Sequence, residues 1–187
     1  IGANLETVLL QTVVRADTAW TMPEEDSGNL GVPFSDLNYA VALERNVGAA
    51  LTVTAQYLGR YVVDWEEPDP VSLLSQLGVP DTPAARTAVA TIEAMNRPAA
   101  SQTEELQHAV LGRATADLLY STLHVSLLGQ YNITTEEYSI QPRVEFDLTD
   151  GADVFVGMTW VDGPAGTRFD LAHDQVSGLN AGFRVYF

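Results

Sequence analysis

The chain contains no cysteine and no lysine. Without cysteine there is no disulfide framework and no thiolate metal site. Without lysine, nine arginines face 25 acids, and the formal net charge is −16. Nucleic acid is not an expected partner, because binding phosphate needs basic surface. Docking on anionic lipid through a polybasic patch is excluded on the same ground. An acidic, lysine-poor composition also fits adaptation to salt. No apolar run approaches the ~20 residues of a membrane helix. The hydrophobic fraction of 46% is ordinary for a water-soluble chain. A membrane β-barrel would give the same reading, since its alternating strands dilute the hydropathy signal. The 187 residues suffice for one sizeable domain. The chain opens at Ile1 without a charged-then-apolar leader, as a processed or truncated chain would.

What is present is alternation of period two, the signature of strands with one apolar face. Residues 8–22 place Leu10, Thr12, Val14, Ala16, Thr18 and Trp20 opposite Gln11, Arg15, Asp17 and Thr21. Residues 38–45 set Tyr39, Val41 and Leu43 against Ala40, Ala42 and Glu44. Residues 49–65 alternate most clearly, with Leu51, Val53, Tyr57 and Tyr61 on one side and Thr52, Thr54, Gln56 and Arg60 on the other. Further strands are expected at 106–118, 123–131, 138–148, about 154–160 and 178–187. They make about eight in all. Pro142 removes a ladder donor inside one of them, so a bulge is expected there. A reversal is required near 119–122 although no glycine or proline marks it, whereas Asp150-Gly151 suits a two-residue hairpin.

Between 66 and 105 the pattern changes. Asp69-Pro70 opens a short helix that ends near Gly78, and Thr82-Pro83 opens a second that runs to about Asn96, with Pro98 as its stop. Connections 23–37 and 162–176 read as loops. Long and short connections alternate along the chain. The longer ones, 23–37, 64–105, 132–137 and 162–176, hold 17 acids and three arginines, a net of −14. The remainder holds eight acids and six arginines, a net of −2. The acidity is therefore a property of one set of connections.

In the strands, Arg15, Asp17, Glu44, Arg60, Arg113, Asp117, Arg143, Glu145, Asp147 and Arg184 share the polar face. No charged residue falls on the apolar face in this reading. Aromatic residues gather toward the strand ends: Trp20, Tyr39, Tyr61, Trp65, Tyr131, Tyr138 and Trp160 at one end, Phe146, Phe183 and Phe187 at the other. Such bands are expected where a sheet meets the two interfaces of a bilayer.

Residues 178–187, GLNAGFRVYF, alternate Leu179, Ala181, Phe183, Val185 and Phe187 with polar or small residues and end on phenylalanine. This stretch resembles the closing strand of a Gram-negative outer-membrane β-barrel. The strand, Asp-Gly turn, strand and Asp-Gly-Pro loop from 137 to 167 are similar to the closing part of larger, uncharacterised proteobacterial porin-like barrels. The resemblance implies an all-β, antiparallel, up-and-down transmembrane barrel occupying 1–187, with 66–105 as an extracellular insertion of two short helices. It puts the terminal phenylalanine at the periplasmic rim, so every long connection lands outside. The charged polar face would then line the lumen. Trp20, Tyr39, Tyr61, Trp65, Tyr138, Trp160, Phe183 and Phe187 would mark the membrane interfaces. The implied location is the bacterial outer membrane. The implied partners are the lipid bilayer, lipopolysaccharide, and the barrel-insertion machinery reading the last strand.

The leading expectation is a porin-like channel for small solutes, or the closing part of one. A small closed barrel with a structural or adhesive role is the alternative. A barrel-embedded lipid hydrolase is the third: His124-Val125-Ser126 with Asn132 is similar to the His-x-Ser pair and downstream Asn of outer-membrane phospholipases. The pair lies on the polar face here, whereas that family works at the lipid surface, so an enzyme is not expected. A soluble ligand-binding barrel would point its apolar faces inward. Acidic clusters at 24–26 and 64–69 read as solvated loop charge. No phosphate loop, zinc spacing or dinucleotide fingerprint occurs, so no cofactor is expected.

Overall fold

The structure, a computed structural model, describes residues 1–23, 34–63, 65–67, 69–100 and 102–186. Its strands are β1 (Gly2–Leu9), β2 (Thr12–Thr21), β3 (Asp36–Val47), β4 (Leu51–Val62), β5 (Leu106–Leu118), β6 (Leu123–Asn132), β7 (Tyr138–Thr149), β8 (Ala152–Asp162) and β9 (Gly178–Val185). Its helices are α1 (Pro70–Gln76), α2 (Pro83–Ala99) and α3 (Arg168–Val176). All nine strands form one antiparallel up-and-down sheet, each beside the next in sequence. The sheet is open: among the described residues no pairing joins β1 to β9.

The strand count corrects the expectation of eight. Residues 8–22 are not one strand but the end of β1, a turn and β2. The turn is Leu10-Gln11, at φ 49° and 67°. Two successive positive φ values are what a type I′ hairpin demands, and they are normally supplied by Asn-Gly or Asp-Gly. Here two ordinary residues adopt them, and the alternation runs through the turn unbroken.

Two compact units can be described separately. The first comprises Ile1–Gly2, Thr18–Asn38 and Arg60–Gln107. In it the Asp69 side chain accepts hydrogen bonds from Val71 N and Ser72 N and caps α1, and Gly78 takes φ 64° just past its end. Leu74 and Val89 are the apolar contacts that α1 and α2 bury. α2 continues to Ala99 rather than stopping at Pro98, because Ala100 N and Gln102 N still reach back to Asn96 and Arg97 carbonyls. From the first turns of α2, Arg86 donates two hydrogen bonds to the carboxylate of Asp81, just before the helix, and holds its pKa below the usual range. Gln102 then bonds both the N–H and the C=O of Phe34, as a neighbouring strand would.

The second unit comprises Ala3–Asp17, Tyr39–Gly59 and His108–Phe187. From β5 to β9 each strand pairs antiparallel with the next, with one register shift, in the β7–β8 pair. The required reversal between β5 and β6 is present, with Leu119, Tyr120 and Ser121 all at positive φ. Pro142 causes no shift of register. Partners run Ile140–Trp160 and resume at Arg143–Gly157, and the irregularity lies instead between Asp147 and Thr149. The missing proline donor is absorbed by an interrupted ladder, not by the expected bulge. Residues 162–176 are not wholly loop. Thr167 accepts from Asp170 N and caps α3, and the Glu137 carboxylate accepts from Phe169 N in its first turn. His173 Nδ1 lies 2.6 Å from Val161 O, and its ring stands edge-on to Trp160 at 4.8 Å, which seats α3 on β8.

Candidate functional site: the polar face of the sheet

Burial along the strands is inverted relative to a protein with a water-facing polar side. In β8, Val156 is 50% exposed while Asp153 on the opposite face is 2% exposed. In β7, Ile140, Val144, Phe146 and Leu148 are exposed, whereas Ser139 is 4% exposed. In β9, Leu179 and Phe183 are exposed at 81% and 60%. Among the described residues the buried hydrophobic side chains are Val62, Leu74, Val89 and Val161.

Register places Arg184 directly opposite Asp153 on the other face. Residues directly opposite or one diagonal step apart on the same face lie within side-chain reach. In the second unit, Arg15 Nε contacts Glu6 at 2.7 Å and its Nη1 contacts Glu44 at 3.2 Å. Asp17 keeps the alternation of Arg15 but joins no ion pair among the described residues. Further along, Arg143 donates from Nε and Nη2 to Glu145 Oε2, and Arg184 bridges Glu145 and Asp153. Tyr186 donates to Asp153 at 2.8 Å. The Arg143 guanidinium also lies 4.0 Å from the centre of the Phe155 ring. Solvent screens the exposed members of these pairs, so together they serve more to fix side-chain positions than to hold the fold. Arg60 belongs to the first unit, where it contacts Asn38 Oδ1 at 2.7 Å, Ala100 O at 3.0 Å and Asp36 at 3.6 Å.

His124 sits between two carboxylates. Its Nδ1 lies 2.7 Å from Asp117 Oδ1 and its Nε2 lies 3.2 Å from Asp147 Oδ2. Both ring nitrogens are thus engaged, and no hydrogen bond links His124 to Ser126 among the described residues. Asn132, at the far end of β6, accepts from Thr134 N and Thr135 N and closes a turn.

Two hollows of opposite character lie along this face. One, of about 270 Å³, is lined by Arg113, Ser126, Gln141, Arg143 and Asn180 among others. The other, of about 550 Å³, lies at the short-turn end and includes Glu145, Asp147, Asp150 and Asp153. No group of three His, Asp or Glu side chains able to hold a metal ion occurs among the described residues. Residues 24–26 and Asp64 lie outside the described residues, and Asp69 is engaged as the α1 cap.

The aromatic residues fall mostly where alternation puts them. In the second unit, the Tyr39, Tyr57 and His108 rings form a row across three strands on the apolar face, with Tyr57 Oη 2.5 Å from His108 Nδ1. Tyr131 pairs directly with Tyr138, and Trp160 with Ile140. All of these stand at the long-loop end. Trp20 and Tyr61, in the first unit, are near the long-loop ends of β2 and β4. At the short-turn end, Phe146, Val154 and Phe183 line up through successive register pairs. Phe187 lies outside the described residues. Trp65 departs from expectation: β4 ends at Val62, and Trp65 instead packs under the Arg97 guanidinium at 4.4 Å beside Phe34.

The apolar face also carries charge at its margins, contrary to expectation. β3 extends to Val47, so Arg45 shares the alternation of Val41 and Leu43 two residues from the strand end. Asp162, at the end of β8, accepts a hydrogen bond from Tyr138 Oη. Sequence reasoning passed over Glu6, hidden in the unrecognised β1, and Asp153 and Phe155. Alternation set His124 and Tyr186 opposite the apolar residues of their strands, but their contacts with Asp117, Asp147 and Asp153 depend on register between strands.

No protein-family model, curated protein or solved structure matches the chain.

Proposed function

We propose that the chain forms part of the wall of a porin-like outer-membrane β-barrel, with small solutes passing along the polar face. The observation that carries this reading is the inversion of burial. Removing a Val, Leu or Phe side chain from water is worth roughly 1.5–3 kcal/mol. A sheet face made of such residues and left bare calls for a cover, and soluble monomers rarely carry apolar patches beyond a few hundred Å². Lipid is the cover that best fits the rest of the face. Charges on it are confined to strand ends, and aromatic rows border it at both ends. β2 to β8 are 10 to 13 residues long. A tilted transmembrane strand needs about 9–11.

Connections sort as membrane barrels require. Turns at 10–11, 48–50, 119–122 and 150–151 are short, and those at the opposite end are longer and acidic. Strand parity favours a larger barrel over a small self-closing one. With nine antiparallel strands in order, β1 and β9 run in the same direction. Closing them on each other would need a parallel seam in an otherwise antiparallel wall.

Conductance across a planar bilayer tests the channel reading. Discrete steps from protein that shows a heat-modifiable gel shift are expected. A silent bilayer with protein that does show the shift would remove the channel and leave a structural or adhesive barrel.

A further inference from the structure

We propose that the hollow between Arg113 and Arg143 binds an oxyanion, the carboxylate or phosphate group of a small solute. Its construction follows from register. One row across the sheet reads Thr115, Ser126, Arg143, Gly157, Asn180. The next reads Arg113, Leu128, Gln141. Gly157 lets the Asn180 amide lie close across the first row: a Cβ there would lie 2.7 Å from Asn180 Oδ1 and 3.3 Å from Pro142 O. The resulting cavity of about 270 Å³ is lined by Arg113, Ser126, Gln141, Arg143 and Asn180, with no carboxylate among its lining residues.

That composition stands out in a chain of net charge −16. Arg15, Arg60, Arg86, Arg97, Arg143 and Arg184 all contact carboxylates. Arg45, Arg113 and Arg168 contact none among the described residues, and of these three Arg113 is the one on the face where the acids gather. Arg143 spends Nε and Nη2 on Glu145, and its plane is held against Phe155. Its Nη1 has no hydrogen-bond partner among the described residues, so Arg113 supplies the net positive charge and Arg143 a positioned donor. A guanidinium fork matches the two oxygens of a carboxylate or phosphate, and such charge-assisted bonds are among the strongest in proteins. The Ser126 hydroxyl and the Gln141 and Asn180 amides add neutral donors around it.

The role of this site in passage rests on the polar face being the solute-facing wall. Binding itself does not. The test is a calorimetric titration of the full chain, folded in detergent at low salt, with inorganic phosphate and separately with acetate. Saturable binding of at least one is expected. Arg113→Gln should weaken it about tenfold or more, since a charged hydrogen-bond partner is lost. Arg45→Gln, which removes the same charge from the opposite face, should leave it unchanged. Absence of saturation, or equal loss in both variants, would overturn the site. If Arg113→Gln does not fold, the double variant Gln141→Leu/Asn180→Leu serves, and unchanged affinity in it would equally overturn the site. Phosphate binding with a silent bilayer would retain the site and sink the channel. Conductance without binding would sink the site alone.

Discussion

Tyr39 lies directly over Gly59, so close that a Cβ at position 59 would stand 2.1 Å from the Tyr39 Cζ. The glycine is the floor on which the aromatic row Tyr39, Tyr57 and His108 is laid. Aromatic pairs of this kind are worth about 0.5–1.5 kcal/mol beyond their area. Gly59→Ala should push the Tyr39 ring aside and cost on the order of 1 kcal/mol in urea unfolding from lipid vesicles. A Tyr39→Ala variant should then make the Gly59→Ala change neutral, which identifies the ring as the obstacle.

Glu137 ties together two connections at the long-loop end of the sheet. Its Oε1 accepts from Phe169 N at 2.7 Å, and its Oε2 accepts from Thr135 Oγ1 at 2.6 Å. A carboxylate at a helix N-terminus bonds an orphan N–H and opposes the helix dipole. Glu137→Ala should destabilise α3 by about 0.5–2 kcal/mol, the range for losing a helix cap. Faster amide exchange over 163–177, with strand protection intact, is the expected readout.

The turn between β5 and β6 stores backbone strain. Leu119, Tyr120 and Ser121 hold φ of 50°, 58° and 63°. The left-handed region costs an L-residue about 1–2 kcal/mol. Tyr120 projects fully into solvent, so its side chain contributes no packing to lose. Tyr120→Gly should therefore raise stability, by about 0.5–1 kcal/mol once the extra chain entropy of glycine is offset. A lowered urea midpoint would show that the tyrosine is held by contacts beyond the chain itself.

The face of the sheet was legible from alternation alone, because period two survives any error in strand boundaries. Its strand count was not. Leu10 and Gln11 carry no turn signature, and Leu10 keeps the alternation, so β1 and β2 fuse into one apparent strand. Helix α3 was hidden for a different reason. Its cap, Thr167 with Asp170 three residues on, is a readable start signal, but it sits inside a stretch rich in Gly, Pro and Asp. The polar-face residues were recoverable by parity, whereas their partners were not. That Arg184 meets Glu145 and Asp153, and that Arg113 meets no acid among the described residues, depends on register across strands distant in sequence. Trp65 was misplaced because the apolar pattern runs past the end of β4 into the loop.

Val144, Val156 and Ala181 form one register row near the middle of the apolar face. If lipid covers that row, Val156→Arg should cost roughly 2–4 kcal/mol, the depth-dependent penalty at a bilayer midplane. Leu148→Arg, near the short-turn end, should cost about 0–1 kcal/mol. Urea titrations in vesicles give both values, and equal costs would remove the depth dependence that a bilayer imposes.

The most direct test of the central claim uses the absence of native cysteine. Single cysteines introduced in turn at 139–141 and 143–148 along β7, leaving Pro142 in place, would each carry a nitroxide, in protein folded into lipid vesicles. Collision with oxygen reports lipid, and collision with a water-soluble nickel chelate reports aqueous surroundings. Positions 140, 144, 146 and 148 should favour oxygen, and 139, 141, 143, 145 and 147 the chelate. Uniform aqueous access, or alternation in the opposite phase, would contradict a sheet that faces lipid with its apolar side.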